Sequence, residues 1–300
     1  MPVPHWLAPV ATALVALAAL LPAGPLAAQA TPPATDLYVV PLSGQGASLR
    51  VGAAEPVTRR RGYDNQPAFN ATGDGLYYTS QRGSQTEIVQ LNLGNGASRL
   101  LRPTPESEYS ATLMPDRAAV SVIRVEADSA QRLWRLPLDG SDPTVLLPDV
   151  KPVGYHAWTD DSTVVLFVLG QPATLQVANV RTGRTTVVER GIGRWLATVP
   201  GRGAVGFVRL ASGGDGIVMT FTPGTGRIDE VAPAISGTQD YAWLPDGTLL
   251  GASGSVLRRW DAGQRSWVEV ADLSSQGIRG ITRLVTNRDG TRLALVALER

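Results

Sequence analysis

A hydroxyl nucleophile needs a base within hydrogen-bond reach, and the sequence offers two histidines, His5 and His156. His5 sits in an N-terminal apolar segment. His156 stands beside Tyr155, with Asp160 and Asp161 a few residues on; a lone imidazole there reads first as a packed or rim residue. Cysteine is absent, which removes disulfides, thiolate zinc sites, cysteine nucleophiles and covalent haem attachment together. Carboxylates remain. Asp64, Glu106, Glu108 and Asp240 each stand just before a strand-like run, and two acids facing each other across a channel could serve glycoside hydrolysis. Asp64, Asn65, Glu108 and Asp240 also offer the oxygen ligands that calcium prefers, though without a dense loop motif. Arg59-Arg60-Arg61 is a compact basic run, read as a solvated loop or a contact for an acidic partner or polysaccharide. Lys151 is the only lysine, which reflects base composition. With a net charge of +1 and 18% charged residues, the chain is not built to hold nucleic acid by bulk electrostatics.

The elements that must position these groups are strands. Of the 300 residues 43% are hydrophobic, ample for a packed core, and 32 Gly and 22 Pro punctuate short runs rich in Val, Leu, Ile, Thr, Tyr and Trp. That is the pattern of many short antiparallel strands. The runs repeat. QPAFNATGDGLYYTS from Gln66 has relatives beginning at Ser110, Tyr155, Trp195, Tyr241 and Ile281. Each is a strand, a tight turn and an alternating strand. Phe69, Leu113, Trp158, Thr198, Trp243 and Leu284 mark the end of the first strand, at spacings of 44, 45, 40, 45 and 41 residues. Ala68, Ala157, Ala197 and Ala242 stand one place before four of these anchors. A second hairpin follows each unit, so each period holds four strands, the content of a propeller blade.

The sixth unit stops after two strands, and the hairpin from Asp36 to Gly52 has no first half. The N-terminal hairpin is therefore expected to complete the last blade. This predicts an all-β, six-bladed β-propeller of four-stranded antiparallel blades over residues 31–300. Residues 1–30 read as a signal peptide: an apolar stretch, then Ala28-Gln29-Ala30 as a small-x-small cleavage site, leaving Thr31 first. No later stretch is long and apolar enough to span a bilayer.

The strings Met114-Pro115-Asp116, Leu244-Pro245-Asp246-Gly247 and, in part, Asn287-Arg288-Asp289-Gly290 resemble the turn of the WD-like repeats in the TolB propeller superfamily. The resemblance covers nearly the whole chain after Ala30 and implies the propeller architecture. That family carries an α/β domain before the propeller. Only a few residues separate Ala30 from the first hairpin here, so an isolated propeller is implied. Some related propellers precede an α/β-hydrolase domain, but no Gly-x-Ser-x-Gly nucleophile turn is evident.

Residues two to five places before the anchors should ring one mouth of the channel: Asp64, Asn65 and Gln66; Glu108 and Tyr109; Tyr155 and His156; Arg194 and Trp195; Gln239, Asp240 and Tyr241; Arg279. Tyr, Trp, Arg and amides suit a binding surface, and aromatics also wedge neighbouring blades. The expectation is an exported, monomeric, non-enzymatic binding module whose mouth takes an envelope or periplasmic protein, a small ligand or a glycan. The alternative is a lactonase-like or glycan-cleaving enzyme using channel carboxylates with calcium.

Overall fold

The computed structural model describes residues 33–212 and 214–299; the expected signal peptide lies outside them. Six antiparallel sheets follow one another along the chain. Blade one begins with Asp64–Phe69, blade two with Ser107–Leu113 and blade three with Val153–Trp158. Blades four, five and six begin with Ile192–Val199, Tyr241–Trp243 and Arg283–Thr286. Each of these six is the inner strand of its blade and lines the central channel. Among the described residues no helix is long and apolar enough to cross a membrane.

Alternation along the strands explains the packing, because successive side chains of a strand leave on opposite faces. In Ala119–Val125 of blade two, Val120 and Val122 pack toward blade one, while Ala119 and Ile123 pack toward blade three. The core is accordingly divided into six apolar clusters, each lying between two neighbouring blades. A strand buried on both faces has no solvent side, which is why these runs read as nearly continuous Val, Leu and Ile.

The ring closes as expected. Thr35–Ser43 pairs antiparallel with Arg292–Leu298, in register from Thr35 opposite Leu298 to Pro41 opposite Arg292. Its outer neighbours are two short pieces, Arg50–Val51 and Glu55–Pro56. Thr35–Ser43, the first strand among the described residues, thus lies third from the channel in blade six, outside Arg292–Leu298.

One anchor needs correction. Phe69, Leu113, Trp158, Thr198 and Trp243 stand opposite Leu76, Val120, Val164, Val205 and Leu249, one pair before the turn. In blade six that pair is Thr286 with Leu293, not Leu284. Thr286 lies 43 residues after Trp243. The hydroxyls confirm the match. Thr198 Oγ1 donates to the Trp158 carbonyl of the preceding blade at 2.7 Å, and Thr286 Oγ1 donates to the Trp243 carbonyl at 2.6 Å. Where the anchor is not aromatic or aliphatic, a threonine fastens adjacent blades by a hydrogen bond instead.

Candidate functional site

With Thr286 as the sixth anchor, the residues three places before the anchors are Gln66, Ser110, Tyr155, Trp195, Asp240 and Arg283, one from each blade. All six line one cavity of about 350 Å³ in the channel. The anchors' small predecessors Ala68, Ala157, Ala197 and Ala242 line it too; their short side chains leave this volume open. The inner strands of blades one to four are bulged at their starts, and bulges re-aim side chains. In blades one and two the bulge puts non-glycine residues in the left-handed region, Gln66 at φ 55° and Ser110 at φ 55°. Such a conformation persists only where its surroundings fix it. Here Gln66 Oε1 accepts both the Ser110 N–H at 2.8 Å and the Thr79 hydroxyl at 2.9 Å.

From this ring a polar chain crosses the channel. Arg283 Nη2 of blade six donates to the Tyr155 hydroxyl oxygen of blade three at 2.9 Å, and Gln66 Nε2 approaches the same oxygen at 3.5 Å. The Arg283 guanidinium lies 5.2 Å from the centre of the Tyr155 ring. Its Nη1 bonds Asp240 Oδ1 at 3.0 Å, and Arg194 Nη2 holds Asp240 Oδ2 at 3.2 Å. Asp240 and Arg283 also border a second cavity of about 390 Å³ on the mouth side, with Arg194 and Gln239. They are thus part of a septum between mouth and channel. Burial opposes the charge on Arg283, but the Asp240 carboxylate and then the Tyr155 and Tyr63 oxygens hold its pKa above the ordinary guanidinium value. Burial also pushes the Tyr63 phenol up to about 12 despite the nearby arginines, Arg283 first. Tyr63, Tyr109, Tyr155, Arg194 and Arg283 all act electrostatically on or within this one centre.

The thirteen expected mouth residues divide. Gln66, Tyr155 and Asp240 belong to the septum, Arg194 and Gln239 border the second cavity, and the half-buried Tyr109 borders neither and packs against the cluster between blades two and three. Trp195 and Tyr241 are 5% and 0% exposed and sit in the cluster between blades four and five. Their rings meet edge to face at 5.2 Å, and the Tyr241 hydroxyl is held by the Ile235 N–H and the Thr238 carbonyl. They wedge the blades. Asn65 is buried, giving Nδ2 to Thr35 Oγ1. Arg279 is exposed and borders neither cavity.

Asp64 and Glu108 hold equivalent places, five before their anchors, and both are buried ion-pair partners. Arg60 bonds Asp64 Oδ1 through Nε and Nη2, with Nη2 also reaching Ser80 Oγ. The middle residue of the basic run is therefore structural, while Arg59 and Arg61 are exposed. Arg124 reaches Glu108 Oε1 from two nitrogens, at 3.2 and 2.8 Å. Asp64, Glu108 and Asp240 are each tied to their own arginines, and among the described residues no three His, Cys, Asp or Glu side chains are grouped to hold a metal. The four oxygen donors expected for calcium are not brought together. His156 is buried, with Nε2 at 2.7 Å from Ser121 Oγ, which also receives Trp158 Nε1. Burial lowers its pKa to about 3, so the imidazole is neutral.

Two residues of the centre, Arg283 and Tyr63, are absent from the sequence-based set. The turn signal would have found Arg283. In every other unit the turn begins directly after the anchor, and Asn287 opens the last turn, which places the anchor at Thr286.

No family model and no curated protein matches the sequence. Solved structures do. The chain is similar to a putative TolB from Agrobacterium tumefaciens at TM-score 0.68 and 13% identity, over 89% of this chain and 98% of that one. It is similar to TolB from Acinetobacter baumannii at TM-score 0.59 and 12% identity, over 89% of this chain and 64% of that one. An oligogalacturonate lyase in complex with manganese matches at TM-score 0.56 and 17% identity, over 82% of this chain and 80% of that one. The chain is thus a six-bladed β-propeller. Its architecture is of the TolB-like kind, and the same architecture also occurs in an oligogalacturonate lyase, so the fold does not by itself fix a function.

Proposed function

We propose that the protein is an exported, monomeric, non-enzymatic binding module that takes a partner protein of the bacterial envelope or periplasm at the Tyr- and Arg-rich mouth. In this reading residues 1–30 are its leader and residues 31–300 the propeller. The observation that carries the reading is the septum, in which Tyr155, Arg283 and Asp240 join opposite blades across the channel. It turns the mouth into a floored surface. Tyrosine and arginine are the residues that dominate interface energetics, having large rigid area and planar hydrogen-bonding tips. Arg194, whose side chain is 44% exposed, makes a single contact with Asp240 and has nitrogens to spare for an acidic group of the partner. Three of the four acids named for a glycan-cleaving reading, Asp64, Glu108 and Asp240, are instead engaged by arginines.

The test is a pull-down from envelope extract with protein starting at Thr31, beside the folded variant Tyr109→Ala, Arg194→Ala, Gln239→Ala. These positions are half-buried or exposed, so the fold should survive. The expected result is a discrete partner held by the wild type and lost by the variant. The same proteins on both baits, or none, would overturn the reading.

A further inference from the structure

We infer that the channel cavity on the far side of the septum is a binding site for a small apolar carboxylate, with its carboxylate against Tyr155 and Arg283. The inference does not rest on the mouth reading, because the two surfaces lie on opposite sides of the septum.

The polar end of the site is set by one hydroxyl, that of Tyr155. Gln66 Oε1 is occupied by two donors, the Ser110 N–H and the Thr79 hydroxyl, which fixes the amide so that Nε2 turns toward Tyr155. The Tyr155 oxygen then receives Gln66 Nε2 and Arg283 Nη2 together. A phenol oxygen accepts at most two hydrogen bonds and donates one. Arg283 Nη2 takes one acceptor position at 2.9 Å and Gln66 Nε2 approaches the other at 3.5 Å, which leaves the hydroxyl as a donor. Tyr155 is half-buried and lines the cavity together with Arg283. The septum therefore offers a hydroxyl and a guanidinium as donors to an acceptor in the cavity.

The charge of the surroundings selects an anion. Both oxygens of Asp240, the one acid of the septum, are engaged by Arg283 and Arg194. Two guanidinium groups against one carboxylate leave the centre net positive. At the open end, Arg288 lines the cavity and is exposed, with no ion-pair partner among the described residues. The walls select an apolar body. Between Arg283 and Arg288 the apolar part of the lining comes from Ala157, Ala197, Ala242, Val285, Trp195 and Trp243, and Thr112, Thr198 and Thr286 add hydroxyls. A volume of about 350 Å³, mostly apolar and closed by a few convergent polar groups, is the common form of a small-molecule site. Strand residues 283–286 rise roughly 10 Å before the turn that carries Arg288, a depth that suits a medium-length acyl chain.

The probe is decanoate, with decanol as the same body without the charge. Trp195 and Trp243 line the cavity, so tryptophan fluorescence reports occupancy and calorimetry gives the stoichiometry. Decanoate should bind one to one, and decanol more weakly by about tenfold or more, the worth of a charge-assisted hydrogen bond. Tyr155→Phe keeps the ring and removes the donor. It should weaken decanoate by about tenfold and leave decanol unchanged. Ala197→Leu fills the lumen and should abolish both. Gln239→Ala, on the mouth side, should bind decanoate as the wild type does. The inference is overturned by non-saturable binding, by decanol matching decanoate, or by a folded Tyr155→Phe protein that binds decanoate unchanged. If Tyr155→Phe does not fold, decanoate binding that survives Ala197→Leu overturns it alone.

Discussion

Arg124→Met should destabilise the protein by an amount that depends on pH. The Glu108 side chain is 0% exposed. Besides Arg124, its Oε1 receives only Thr104 Oγ1 at 3.4 Å, and its Oε2 has no partner. Removing one member of a buried ion pair costs about 3–5 kcal/mol, because the other charge is left desolvated. Methionine restores part of the packing over Trp134, where the guanidinium lies 4.3 Å from the ring centre, but not the cation–π attraction of about 0.5–1 kcal/mol. Burial already raises the Glu108 pKa, with the hydrogen bond and charge of Arg124 opposing it. In the variant that opposition is gone and the folded-state pKa climbs further above the unfolded value. A carboxyl raised in this way contributes stability that is full below its unfolded pKa and is lost as pH rises through its folded pKa. The deficit of the variant should therefore be largest near pH 8 and shrink toward pH 5. Urea denaturation of both proteins at several pH values reads this directly, and taking the difference cancels groups common to both, such as His156. Adding Glu108→Gln should flatten the pH dependence. A deficit below about 1 kcal/mol at pH 8, or one that does not change with pH, would refute the account of Glu108 as a charge held only by Arg124.

Thr198→Val and Thr286→Val should each cost about 1–2 kcal/mol by leaving a main-chain carbonyl of the preceding blade without its donor; being in separate blade pairs, the two should add in a double-variant urea titration. Tyr63, Tyr78 and Tyr241 have phenols pushed up to about 12, by burial first in each case. Ultraviolet titration of the folded protein should show at least these three of the seven tyrosines ionising well above pH 10. Since their folded values exceed the unfolded ones, stability should fall as pH rises from about 10 to 12. His156 has the opposite sign. Its pKa is lowered to about 3, so its ring proton resonances should not move between pH 8 and 5, and its contribution to stability should decline as pH falls below about 6.5, its ordinary value.

The propeller was legible because its signals are local and periodic: a turn residue, an anchor and an even spacing, six times over. Closure was legible for the same reason, as two half-blades of complementary kind. The centre was less so. Counting back from an anchor presumes a regular strand, and four of the six inner strands are bulged. A bulge changes which side chain faces the channel, and nothing in the letters marks Gln66 or Ser110 as left-handed. Tyr241, one place after the channel position Asp240, packs between blades, and Trp195, though it borders the cavity, packs there too. Asp64 and Glu108 were read as available acids because their partners are distant or ambiguous in the sequence. Arg124 lies across a hairpin from Glu108, and Arg60 is one of three neighbouring arginines. Arg283 was lost to a leucine that imitated an anchor two places early.

The pairing of Thr35–Ser43 with Arg292–Leu298 also sets an order of events. Thr35–Ser43 cannot find its partner until residues 292–298 have been synthesised. Until then blade six has no inner pair, and the first strand is an unpaired edge carrying Leu37, Val39 and Val40, residues buried in the finished ring. Such an edge invites pairing with other chains. Closure is therefore a late step, limited by the search between Thr35–Ser43 and Arg292–Leu298. A permuted chain, with the native ends joined and new ends placed in the loop between Asp142 and Thr144, would make this pairing local and should reach the closed ring faster.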